Sequence, residues 1–117
     1  MKNDIDEIAQ WYDRFIENVI QISMEAEQQI QKLHGTEVAD EVALDFCEIG
    51  LVYAKKLLDC EWITHEQYLL AENIAKKLDL MTQKQELWNE KALLTSIEWE
   101  ECRIMGKKLL DTLIINK

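Results

Sequence analysis

Residues 36–60 read TEVADEVALDFCEIGLVYAKKLLDC, and at about 100° per residue this stretch divides into three helical faces. Val38, Val42, Phe46, Ile49, Tyr53 and Leu57 form a bulky apolar stripe. Beside it, Ala39, Ala43, Cys47, Gly50 and Ala54 form a stripe of small side chains that lets a neighbouring backbone come close. The opposite face carries Glu37, Glu41, Asp45 and Glu48, with Asp40 at its edge and Leu44 and Leu51 standing among the carboxylates. The spacing predicts one helix over the whole stretch, central to the core and the main contact surface of the chain.

Working outward, the segment before it keeps helical spacing from Ile5 through Ile8, Trp11, Phe15, Val19, Ile22, Ala26 and Ile30 to Leu33. Asp4 with Glu7 resembles a capping box, and Gly35 suits a C′ position. About 30 residues is long for a globular helix, which leaves room for a kink near Ser23, although no proline or glycine forces one. Thr36 is placed to cap the second helix. A short turn at Gly35 makes the two helices an antiparallel hairpin.

The boundary that follows is the sharpest. Thr64 and Gln67 form a capping box, with Ile63 and Tyr68 spaced as a hydrophobic staple. Helix 3 continues on Ala71, Ile74, Ala75 and Leu78. The eight-residue segment Glu61-Trp62-Ile63-Thr64-His65-Glu66-Gln67-Tyr68 is similar to an IT-x-E-x-Y turn between helices of many unrelated small domains, which implies a helical hairpin and nothing about activity. Thr82 with Gln85, and Thr95 with Glu98, repeat the capping pattern. The run Trp88, Ala92, Thr95, Trp99, Cys102, Gly106, Leu109, Leu113 alternates steps of four and three. It favours one long or gently bent helix over residues 83–115 rather than two.

The absence of proline, with glycine only at 35, 50 and 106, fits an all-α chain and opposes a turn-rich β fold. The expected architecture is a compact antiparallel bundle of four to five helices, a single domain over residues 1–117. Net charge is −10, and −9 of it lies in the first 63 residues, where five basic groups meet fourteen acidic ones. That sign opposes direct nucleic-acid binding, which rests on phosphate neutralisation, and opposes anionic membranes. It suits a basic protein partner.

Cys47, Cys60 and Cys102 are odd in number and form no CxxC pair. They read as reduced, packed thiols in a cytoplasmic protein. MKNDIDEIAQ lacks the layout of a signal peptide.

Candidate chemistry is sparse. No Glu-x-x-His pair precedes His34 or His65, and no Cys/His cluster has zinc spacing, so no metal or cofactor is expected. Of the acidic pairs used by magnesium-dependent all-α nucleotide pyrophosphatases, Glu37/Asp40 and Glu98/Glu101 occur in reversed chain order. No catalytic residue is assigned, and no enzyme is expected. What remains is the acidic ridge: either a solvated face, or a docking surface with Leu44 and Leu51 at its apolar centre and Trp62 as an exposed anchor. In size, acidity and helical class the chain resembles nuclease-toxin immunity proteins. That likeness implies a small binding protein that occludes a basic partner, contacted through Glu37, Asp40, Glu41, Leu44, Asp45, Glu48, Leu51 and Trp62. The alternatives are a homodimer through an apolar face of the last helix, and the pyrophosphatase.

Overall fold

Steps of four residues over-rotate an α-helix by about 40° each, and the central stretch buries Val38, Val42, Phe46, Gly50 and Ala54 in four such steps. A regular helix would turn that face away from the core. In the computed structural model, which describes residues 4–115 (side chains of 114 and 115 excepted), a wide π turn absorbs the drift. Helix α3, Val38–Leu44, passes into a π-helical segment, Asp45–Gly50, and on into α4, Leu51–Asp59. The N–H of Leu51 reaches back to the Phe46 carbonyl, five residues away. The rotation corrects the sequence reading of the bulky stripe. Ile49 is 41% exposed, Tyr53 is half-buried, and Gly50 and Ala54 take the buried places.

The small stripe behaves as its composition dictates. A side chain at 50 would meet Asn18 Cβ at 3.1 Å, so glycine there lets the first helix close in. That helix, α1, runs Ile5–Ser23 and packs on α4, on the π segment and on the last helix. It does not continue to residue 34. Met24 and Glu25 are extended, and a separate helix α2 spans Ala26–Lys32. The break needs no proline. Ser23 Oγ donates back to the Val19 carbonyl at 2.6 Å, a bond that bends helices. Gln29 Nε2 then donates to the freed Gln21 carbonyl at 2.9 Å.

Thr36 does not cap α3. Its hydroxyl donates to the Leu33 carbonyl, and Glu37 takes the N-cap position. The Thr64–Gln67 capping box does open α5, His65–Met81, with the Gln67 N–H on Thr64 Oγ1 at 3.0 Å.

After α5 the expected long helix is replaced by three pieces: a 3₁₀ turn at Gln85–Leu87, α6 over Glu90–Thr95, and α7 over Ile97–Ile115. Thr82 closes α5 by donating to the Asp79 carbonyl, and Asn89 Oδ1 caps α6 by accepting from the Ala92 N–H at 2.8 Å. Ser96 is extended, and its Oγ accepts from the Trp99 N–H. The serine rather than Thr95 is therefore the cap. The predicted face of α7 holds: Trp99, Cys102, Gly106, Leu109 and Leu113 are buried.

Two polar devices bind the broken pieces together. Arg103, almost fully buried, donates to Gln29 Oε1 at 3.3 Å, to the Leu93 carbonyl at 3.0 Å and to Glu100 Oε1 at 3.1 Å. Its charge thus serves both helix breaks. Trp99 and Trp88 stand edge to face at 5.3 Å, their indole N–H groups donating to the Leu87 and Met81 carbonyls. Where α1 crosses α7, a Cβ at Gly106 would lie 2.5 Å from Ser23 Oγ and 2.9 Å from Ile22 Cγ2, so only glycine fits without repacking.

The described residues are all-α, with no strand. The π turn makes a direct prediction in urea denaturation. Leu57→Ala costs about 2–5 kcal/mol because the side chain is wholly buried. Ile49→Gln, a core position in a regular helix, costs less than about 1 kcal/mol.

Candidate docking groove

The packing partners of α3 and α5 decide where the surface opens. Helix α3 lies against α1, α2 and α6, whereas α5 packs on α4 and α7. Between them runs a groove of about 460 Å³, lined by Asp40, Ala43, Leu44, Cys47, Leu78, Asp79, Thr82 and Trp88. Its lining is mainly apolar, with Asp40 and Asp79 its charged groups. Trp88, held by its bond to the Met81 carbonyl, is shared with a smaller recess of about 200 Å³ that also contains Glu37, Asp40, Asn89 and Glu90. Asp79 leads in the other direction to a shallow extension beside Leu51, Glu72, Ala75, Lys76 and Leu80. Leu44 is 47% exposed and Leu80 66%.

The groove collects some of the residues expected from sequence and separates others. Asp40 and Leu44 lie in it, Glu37 in the adjoining recess, and Leu51 in the extension, where it is half-buried against the core. Asp45 faces away. Its Oδ2 accepts from Gln21 Nε2 at 2.8 Å, while Lys32 Nζ donates to Gln21 Oε1 at 2.6 Å. Glu41, half-buried, and Glu48, exposed, are not among the residues that line the groove, its recess or its extension. The groove and its adjoining recesses thus gather Glu37, Asp40, Leu44 and Leu51 of the ridge, and their lining does not include Glu41, Asp45 or Glu48. Trp62 is 40% exposed but packs on Tyr12 with the rings tilted by 60°, 5.9 Å between centroids, past the far end of α4, roughly 25 Å along the helix axis from Leu44.

Asp79, Trp88 and Glu90 escaped the sequence reading because only tertiary packing brings them opposite α3. One local signal was available. Asp79 sits in the last turn of α5, where the helix macrodipole disfavours a carboxylate.

The electrostatics of the two sides differ. Toward α7, Lys77 of α5 holds Glu101 at 2.8 Å and Lys84 of the following loop holds Glu98 at 3.3 Å. The hydrogen bond to Glu101 raises the Lys77 pKa, and Glu98 is lowered by hydrogen bonds, first from its own backbone and then from Lys84. Among the described residues, no ion pair engages Glu37, Asp40, Glu41, Glu48 or Asp79, and no cluster of three His, Cys, Asp or Glu is arranged to hold a metal.

Cys47 is a half-buried free thiol in the groove lining. Burial, then Asp79 and Glu48, push its pKa up, and burial carries the Cys102 thiol to about 12. No protein-family model, curated protein or solved structure matches the chain.

Because a raised pKa lowers the thiolate fraction at fixed pH, folded protein at pH 8 should show Cys102 unreactive toward iodoacetamide. Cys47 should alkylate more slowly than it does in the urea-unfolded chain. Mass-spectrometric mapping of the alkylated sites checks both, and equal folded and unfolded rates at Cys47 would contradict the burial described.

Proposed function

We propose that the chain is a small acidic binding protein that occludes a basic protein partner, as an immunity or antitoxin-type inhibitor of a bacterial nuclease toxin does, and that it works in the cytoplasm without turnover. The observation that carries this reading is an apolar groove edged by Asp40 and Asp79, which no ion pair engages among the described residues, with Leu44 half-exposed at its rim. Charge of one sign around a desolvating centre steers a partner of the opposite sign and then holds it. A nuclease suits this surface because its lysines and arginines are arranged for phosphates, which the carboxylates replace. The inhibitor competes by covering the basic cleft and needs no chemistry of its own.

The pyrophosphatase reading loses support in the details. Glu98 and Glu101 are held by Lys84 and Lys77, while Glu37 and Asp40 line the groove and its recess. Self-association retains a specific observation, since Ile97 and Ile104 are exposed seven residues apart on α7.

The test is to mix the chain with basic nucleases, beginning with any that is encoded beside its own gene. A one-to-one complex should form, block nucleic-acid cleavage, and weaken as salt rises. Asp40→Lys with Asp79→Lys should relieve inhibition at least about tenfold while helical circular dichroism persists. Absence of a complex, with the chain sedimenting as a dimer that Ile104→Glu dissociates, would replace this reading with self-association.

A further inference from the structure

We infer that the groove between α3 and α5 receives an amphipathic helix of the partner, with an apolar stripe entering between Leu44 and Trp88 and lysines or arginines flanking it. This rests on the binding reading above and names the element that the surface takes. Three observations carry it.

The first is what the walls are made of. Both flanks are helices, and their backbone groups are spent on their own hydrogen bonds. Among the described residues no strand edge is present for a peptide to extend. Recognition must therefore run through side chains, and a third helix laid in the trough between two others does this by seating its ridges in their groove.

The second is length. Asp40, Leu44, Cys47 and Leu51 line the trough along one wall, and Asp79 joins the main groove to its extension. Eleven residues of helix rise about 16 Å, and slightly less through a π turn. An incoming helix with anchors at i, i+4, i+7 and i+11 covers the same distance.

The third is charge. Along the trough and its recess stand Glu37, Asp40, Glu72, Asp79 and Glu90 against a single base, Lys76, which lies 3.8 Å from Glu72. A helix with an acidic border would be repelled, and one with a neutral border would leave the carboxylates partly desolvated without a counter-charge. Basic residues on both sides of an apolar stripe satisfy the rim and fill the floor together.

The probe is a synthetic peptide of about 16 residues, with leucine at helical a and d positions and lysine elsewhere, titrated into isotopically labelled chain and followed by nuclear magnetic resonance. The expected shifts concentrate on Ala43, Leu44, Cys47, Leu78 and Trp88, and the peptide gains helicity on binding. Affinity should fall at least about tenfold with Asp40→Lys plus Asp79→Lys, and equally when the peptide leucines become serine.

Equal binding of the serine peptide would overturn the inference, because charge alone would then suffice. So would shifts centred on α1 or α7, or a bound peptide without helix. A nuclease complex whose contacts lie elsewhere would sink this inference and leave the proposed function standing. Binding of the peptide in the groove without inhibition of any nuclease would do the reverse.

Discussion

A helix that must bury every fourth residue for four consecutive steps cannot remain a regular α-helix, and the rest of this fold depends on how that conflict is resolved. One π turn at Asp45–Gly50 restores Gly50, Ala54 and Leu57 to the core after Val38, Val42 and Phe46. The fully buried Phe46 alone is worth about 1.5–3 kcal/mol against exposure, so the burial favours the wider turn over loss of the face. Leu44, just before the π turn, stays half-exposed, and Cys47, within it, lines the groove beside Leu44. Packing demands of the core thus shape the surface proposed for binding. The π turn contributes Cys47 to that groove, and α3, α5 and the loop after α5 contribute the rest.

Burial of charge follows a similar economy elsewhere. Arg103 would be costly in the interior as an isolated cation. It is retained because Gln29, Leu93 and Glu100 give its guanidinium acceptors, and because Gln29 in turn closes the end of α1. Truncating any member strands the others, which makes the network a fixed strut rather than a site. Lys77 of α5 and Lys84 of the loop after it are likewise held by acids of α7. Among the described residues Asp40 and Asp79 of the α3–α5 groove stay outside such pairing, and this contrast gives their exposure meaning beyond net charge.

The helical class, the Thr64 capping box and the buried face of α7 were readable because each depends on residues close in sequence. The Ser23 break was half-visible: a 30-residue helix invited one, but its fixing partner is Gln29, whose bond to a freed carbonyl has no sequence signature. The division at Ser96 was obscured by a repeat that runs unbroken through Thr95, although Thr95 itself is exposed. Periodicity also placed Ile49 inside, since it presumes 3.6 residues per turn and cannot register a π insertion. Of the candidate site, Asp40 and Leu44 were legible from the pattern on one helix. Asp79, Trp88 and Glu90 were not, because a groove belongs to two elements and the loop that ties them.

Amide hydrogen exchange on the free chain and on its complex with a basic nuclease would test the docking groove most directly. Slowed exchange confined to residues 38–50 and 75–90 is the outcome that follows from a helix seated between α3 and α5. Unchanged exchange there, with protection instead over residues 5–20 of α1 or 97–113 of α7, would show that the carboxylates and Leu44 are only a solvated edge of the bundle.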